Sequence, residues 1–265
     1  MTALAVTDDL FFTRAGMDRA RIEGVVGEAL AGADDGELYL EYCQSESLSW
    51  DDGKLKSANF DTTQGFGLRA VAGEACGFAH ASALDEAAVR RAAQTVAAIK
   101  AGHSGVMAEA PAGTNKQLYS PDNPLPQVDF AAKVKLLADI DAYVRAKEPK
   151  VKQVSCSISG EWQAVQIIRA DGRRAADLRP LVRLSVSVVA QDGTRMEMGG
   201  HGGGGRVDYA DFFQPDTWRA YADEALRQAL VNLDSVPAPA GEMMQRAQLA
   251  REWGATEPSA SAAVR

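Results

Sequence analysis

Between positions 181 and 188 the side chains alternate. Leu181, Arg183, Ser185 and Ser187 share one parity and Val182, Leu184, Val186 and Val188 the other, the period of a strand with one buried and one largely polar face. Asp192-Gly193 follows, and because both residues tolerate positive φ it predicts a two-residue hairpin turn into a return strand over 194–198. Upstream, Leu38, Leu40 and Tyr42 alternate with Glu37, Glu41 and Gln44, and Asp52-Gly53 marks a second hairpin. Strand-like pieces over 55–63, 65–72 and 75–81 complete a meander of four short strands. Two more paired strands are predicted at 151–159 and 162–169, separated by Gly160-Glu161.

Helical spacing takes over in four stretches. Residues 17–30 place Met17, Ile22, Val25, Val26, Ala29 and Leu30 on one face, with Asp18 at the positive end of the dipole. Apolar stripes recur over 85–99 and 128–145. A fourth stripe over 216–233 runs through Trp218, Tyr221, Ala225, Leu226, Ala229 and Leu233, with Asp216 as its expected N-cap. A long surface loop is expected over 102–127, where Gly, Pro, Ser and Asn displace any periodicity. The pattern predicts an α+β fold of antiparallel sheets with packed helices in two domains. Residues 1–148 form the helix–meander–helix domain, 149–243 the middle antiparallel-sheet domain, and 244–265 a tail of different character.

One stretch stands apart from both periods. Gly199 and Gly200 precede His201 and then Gly202, Gly203, Gly204, Gly205 and Arg206. Four successive glycines bring no side-chain packing and cost conformational entropy, which predicts a loop or bend, or a place where another backbone approaches closely. No GxGxxG or GxxxxGK[ST] spacing is present to support a phosphate cradle. The substrate-binding candidates are therefore Gly202, Gly203, Gly204, Gly205 and Arg206, lying beside an extended peptide. Gly65, Gly67, Gly73 and Gly77 are expected to mark bulges or close strand approach.

Composition narrows the function classes. The chain of 265 residues is 46% hydrophobic and 24% charged, with a net charge of −8, which argues against nucleic acid and anionic membrane surfaces as partners. The first 26 residues lack the early positive charge and apolar run of a signal peptide or membrane span, so a cytoplasmic location is expected. Cys43, Cys76 and Cys156 are too few and too widely spaced for a disulfide framework or a closed zinc site, and read as buried small apolar residues.

Candidate acid–base groups are sparse. Asp8-Asp9, Asp34-Asp35, Asp51-Asp52 and Asp223-Glu224 are adjacent in sequence, so their side chains diverge and solvated surface is expected. No GxSxG elbow occurs, and His80, His103 and His201 have no partner at ligand spacing, so no catalytic or metal-binding residue is assigned. Arg179, Arg183 and Arg206 flank the central hairpin. They suit bidentate carboxylate binding or a structural ion pair with Asp177 or Asp208.

Taken in order, GFGLRAVAGEACGFA (65–79), DLRPLVRLSVS (177–187), GGGGR (202–206) and ALRQALVNLDSVPAPAGEM (225–243) resemble the TldD/PmbA family of zinc metallopeptidases, on the TldD side. The resemblance covers residues 5–243. It implies a cytosolic peptidase that cleaves unfolded peptides and works as paired TldD-type and PmbA-type subunits. It also implies a zinc site on an HExxxH helix after the PAG-x-M segment, with a Glu as general base. No His-Glu dipeptide occurs in this sequence, so zinc belongs to the full-length family and none is expected in this chain. Residues 244–265 depart abruptly from the family's wording, as an out-of-frame reading of a GC-rich gene would, or as a short natural paralogue would. The expectation is a TldD-like protein without the zinc site, inactive alone; the alternative is a non-enzymatic interaction protein for a PmbA-type partner or for a second copy of itself.

Overall fold

The computed structural model describes residues 2–100, 104–106, 108–109 and 118–236. His103, part of the predicted loop over 102–127 and the whole tail over 244–265 lie outside the described residues.

Six antiparallel strands form one sheet in the order β3-β2-β1-β4-β5-β6. They are β1 (Asp35–Asp51), β2 (Lys54–Ala72), β3 (Ala75–Ala81), β4 (Val151–Arg169), β5 (Arg174–Asp192) and β6 (Arg195–Gly205). The helices are α1 (Ala3–Asp8), continued by a π-helical turn over Asp9–Thr13, then α2 (Arg19–Leu30), α3 (Glu86–Ala97), α4 (Phe130–Lys147) and α5 (Pro215–Leu233). Aspartate side chains open three of them: Asp18, Asp85 and Asp129 accept the backbone N–H of Arg21, Ala88 and Ala132 at 2.9, 2.7 and 2.6 Å. The fold is α+β, as the hydrophobic pattern predicted.

Every described helix packs on the same face of the sheet, against the alternate residues of each strand that are buried. The apolar residues there form two cores along the length of the strands. Leu38 and Leu40 of β1 join Ile168 of β4 and Leu178 of β5 under α1, α2 and α3. Leu48 of the same β1 joins Val154, Ile158, Leu184 and Val188 under α4 and α5. Strands of 17 to 19 residues run through both cores without interruption, so each end of β1, β4 and β5 serves a different set of helices.

Several predicted breaks are absent. The pieces at 55–63 and 65–72 are one strand, β2, and those at 151–159 and 162–169 are one strand, β4, with Gly160 in its middle. Gly160 has a different reason to be glycine: a Cβ there would collide with the Tyr209 hydroxyl. That hydroxyl passes across the bare backbone and donates to Glu46 Oε1 at 2.7 Å. The Lys133 ammonium, on a side chain only 2% exposed, donates to the same oxygen and, at 2.9 Å, to the Leu125 carbonyl. Its Nζ also sits 4.5 Å from the centre of the Tyr209 ring. This polar group fills the waist between the two cores. Burial, and then the hydrogen bond to Glu46, hold the Tyr209 phenol far above its ordinary range, so it stays a donor.

Turn chemistry was read correctly at one hairpin and displaced at another. Asp52 and Gly53 both have positive φ (48° and 77°), as a type I′ turn between β1 and β2 requires. At the second, Asp192 pairs with Arg195, so the two loop residues are Gly193 and Thr194 and only Gly193 (57°) is left-handed, the Gly-first order of a type II′ turn. Asp216 is not an N-cap either: α5 already begins at Pro215, whose fixed φ suits the first helical position.

Truncating Glu46 to Ala is expected to destabilise the chain by about 3–5 kcal/mol, because it strands the Lys133 charge. Gly160→Ala should cost about 1–3 kcal/mol through overpacking. Urea unfolding of the full chain followed by circular dichroism measures both; a Glu46→Ala variant as stable as the parent would refute the role given to this group.

Candidate functional site

The glycine block is not a loop. Gly199 to Gly205 lie in β6, the last strand of the sheet, paired with Val188 to Val182 of β5. The absent side chains serve two neighbours. On the helical face, a Cβ at Gly199 would collide with the α5 backbone at Ala225 and Ala229, and one at Gly203 with the Tyr221 hydroxyl. On the other face, Cβ atoms at Gly202 and Gly204 would crowd the β5 backbone at Leu184 and Val182. Gly200 and Gly205 meet only ordinary van der Waals contact or open space. The sequence therefore reads as glycine-rich because a helix and a strand press on β6 from two sides.

The outer edge of β6 is partly closed by two amides of α5. Asn232 Nδ2 donates to the Met198 carbonyl at 2.8 Å, and the Gly200 N–H points at Gln228 Oε1 at 3.4 Å. Main-chain groups of alternate residues in an antiparallel strand point to opposite sides, so Met198, Gly200, Gly202 and Gly204 all turn theirs away from β5. Gln228 and Asn232 cover the first two. No described hydrogen bond reaches the outward main chain of Gly202, half-buried, or Gly204, exposed, which leaves a short window of unpaired main-chain donors and acceptors among the described residues. Sequence reasoning missed these two amides, although their spacing of four along α5 was a readable signal for a shared helix face.

Arg206 follows the window directly. Its guanidinium lies 5.3 Å from the Tyr119 ring centre and 3.4 Å from the Pro180 carbonyl. Asp208 spends its carboxylate on the backbone N–H of Ala210 at 2.8 Å. Arg179 does take the predicted pairing with Asp177, at 2.7 Å, and Tyr119 donates to the same carboxylate at 2.8 Å. Arg183 instead donates to Ser185 Oγ at 3.2 Å. Among the described ion pairs neither Arg183, which pairs with Gly204 across the β5–β6 ladder, nor Arg206 has a carboxylate partner, whereas Arg179 is taken by Asp177.

The face of the sheet away from the helices carries the polar parity of each strand, and no described helix packs on it. Ser45, Ser47, Asn59, Asp61, Ser159 and Arg183 line a pocket of about 300 Å³ at its centre. Cys43, beside it, is half-buried; burial first, then the charges of Glu161 and Glu41, push its thiol up to about 11, so it stays protonated and un-nucleophilic at neutral pH. Of the other cysteines, Cys156 is buried as predicted, whereas Cys76 is exposed on β3. His201 packs edge-on against Tyr221 (5.0 Å) and His80 stacks on Phe78 (5.6 Å). Among the described residues no three His, Cys, Asp or Glu side chains converge as metal ligands, so the described side chains do not make up a catalytic metal's donor set.

Residues 36–100 match the description "PmbA/TldA metallopeptidase domain 1" and residues 123–233 "PmbA/TldA metallopeptidase central domain". The chain belongs to the TldD/PmbA metallopeptidase family. Two curated relatives are the metalloprotease TldD homologues of Haemophilus influenzae, 39% identical over 79% of this chain and 45% of the relative, and of Buchnera aphidicola from Schizaphis graminum, 34% identical over 78% and 44%. The chain thus spans less than half the length of the curated relatives it matches. The same fold occurs in a Thermotoga maritima protein described as a candidate modulator of a DNA gyrase (TM-score 0.67, 13% identity, 84% of this chain and 49% of that one). It also occurs in TldE from Thermococcus kodakarensis (TM-score 0.61, 14% identity, 82% and 49%). The break between the two matched domains falls in the segment before α4, yet β1 and β2, from the first, and β4, β5 and β6, from the second, share one sheet. No helix among the described residues is long and apolar enough to cross a membrane.

Single alanine substitutions should sort the glycines of β6. Gly199→Ala and Gly203→Ala are expected to destabilise by about 1–3 kcal/mol, whereas Gly200→Ala and Gly205→Ala should stay within about 0.5 kcal/mol of the parent. Thermal melts of the six variants from Gly199 to Gly205, His201 excluded, would expose the opposite order if α5 were not seated on this strand.

Proposed function

We propose that this chain carries the peptide-presenting part of a TldD-type metallopeptidase and not its metal centre. An unfolded peptide pairs as an extended strand with the open edge of β6 at Gly202 and Gly204, where main-chain groups face outward and no side chain of the strand obstructs a second backbone. Arg206, beyond the end of the window, receives a carboxylate of the peptide. The single observation carrying this proposal is that the amide cover from α5 stops at Gly200. Pairing through main-chain groups is blind to side chains, which suits a peptidase for unfolded substrates.

Hydrolysis by the complete enzyme requires a metal, zinc by the chemistry of the family, held by residues outside those described here. The absence of a His-Glu dipeptide from the sequence supports assigning this chain no such site. The intended partner is a PmbA-type subunit, a reading supported by the fold shared with TldE, and the setting is the cytoplasm. The chain's residues would bind, orient and hold the peptide; they move no proton in the reaction.

Two measurements test this. The purified full chain is expected to retain no stoichiometric zinc by atomic absorption and to show no EDTA-sensitive cleavage of an unfolded peptide; tight one-to-one zinc with proteolysis would overturn the proposal. By amide hydrogen exchange, the N–H groups of Gly202 and Gly204 should exchange rapidly in the free chain and become protected on adding a carboxymethylated casein peptide, with Gly200 changed little. Protection confined to other strands would place the capture site elsewhere.

A further inference from the structure

At the opposite edge of the sheet, β2 extends well beyond its neighbour. β3 pairs only with Phe66 to Ala72, so, among the described residues, positions 54–65 of β2 have a strand partner on one side alone. Apart from Leu55, which packs partly against the second core, the side chains there are exposed, Phe60 among them at 63%. Where β3 ends, the polar face of the sheet carries a trench. Its floor is the backbone of Gly65 and Gly67 in β2. Tyr39 and Glu41 of β1 stand on one side, across from Gly67 and Gly65 respectively; His80 and Phe78 of β3 stand on the other. Both glycines are needed: a Cβ at Gly67 would come within 2.9 Å of the Phe78 ring, and one at Gly65 within 2.8 Å of the Ala81 carbonyl. The pocket measures about 430 Å³ and opens toward Thr63 and Gln64 on the free edge.

The walls have a definite chemistry. Phe78, 61% exposed, and His80 form a stacked pair with ring centres 5.6 Å apart and planes 30° apart. Such a stack on an otherwise polar face contributes little to the core, but it offers a flat π surface. Glu41 accepts hydrogen bonds from the Tyr39 hydroxyl (2.6 Å) and Gln163 Nε2 (2.8 Å), both on Oε2. These neutral donors leave its charge uncompensated, for it is in none of the described ion pairs. The nearby guanidinium of Arg179 is engaged with Asp177 at 2.7 Å, and that of Arg69 with Asp35 and Glu37 at 2.7 and 2.8 Å. A fixed carboxylate facing an aromatic wall across a side-chain-free floor selects a long cationic side chain, whose stem lies on the glycines and whose charged head meets both.

We infer that this trench binds the arginine or lysine side chain of an extended polypeptide segment that adds to the sheet along the free edge of β2, in line with β3. The site is separate from the capture window on β6 and does not depend on it. It discriminates by side chain, which the window does not. A segment docked here would prolong the line of β3 past Ala81, and its residue opposite the end of β3 would point into the trench.

The test uses the full chain and a fluorescent, terminally blocked heptapeptide of alternating Thr and Val with Arg at its centre. The same peptide with norleucine or glutamate there serves as the comparison. Fluorescence anisotropy is expected to show the arginine peptide binding about tenfold more tightly than the norleucine one, the scale of one partly desolvated cation–π and carboxylate contact. Glutamate should weaken it further. Glu41→Gln and Phe78→Ala should each erase most of the preference while leaving the circular dichroism and melting temperature of the chain unchanged, since both side chains reach the surface. Binding that occurs only at β6 would treat the arginine and norleucine peptides alike and would overturn the inference. So would failure of the arginine peptide to bind, or a preference that survives both substitutions.

Discussion

Lys133 carries its ammonium group into the interior, and the arrangement of the waist follows from that. An unpaired charge at 2% exposure would cost several kcal/mol, so its surroundings must supply an acid, a carbonyl and a π face within one hydrogen-bonding radius. Each comes from a different part of the chain. Glu46 is on β1, the Leu125 carbonyl is on the turn preceding α4, and the Tyr209 ring is on the segment between β6 and α5. Three stretches remote in sequence, β1, the turn leading into α4 and the segment before α5, are thereby fixed to one oxygen and one nitrogen. Apolar contacts alone do not impose this register, because the two flanking cores would tolerate sliding of α4 along the sheet far better than this polar group does.

The same logic explains why glycines are concentrated where they are. At Gly160 the missing side chain admits a phenol, at Gly199 a helix backbone, and at Gly67 an aromatic ring. None of these three positions has positive φ. Their role is steric clearance, unlike the turn glycines Gly53 and Gly193, whose left-handed backbone is the requirement. Treating every glycine as a breaker split β2 and β4 into pieces and turned the end of β6 into a loop. Alternation of side chains is a local property, and it located β5 and the first half of β1 well. Clearance for Tyr209 or α5 involves residues tens of positions away, and no window of one sequence contains both partners.

Helices were more legible than strands for a related reason. The stripe from Trp218 to Leu233 is read from its own periodicity, and the buried residues of α5 are those that the spacing selects. Its start was misplaced by one residue because Pro215 enters the helix before Asp216. The window of Gly202 and Gly204 was legible only as a glycine block. What makes it a candidate site is that Asn232 and Gln228, on α5, end their cover before it.

An open sheet edge ordinarily invites indiscriminate pairing, and proteins shield such edges with charge, bulges or covering elements. Here α5 amides shield one half of the β6 edge and leave the other half, and β3 covers one half of β2 and leaves the other. The two open stretches differ in what lies beside them. Bare backbone and two guanidinium groups outside the described ion pairs, Arg183 and Arg206, adjoin the first; a carboxylate and an aromatic stack adjoin the second. An opening retained only by neglect would show no such complementary chemistry. On the proposed function, one contact that ignores sequence and another that reads a single residue complement each other, since the first secures extended geometry and the second sets where along the substrate that geometry is imposed.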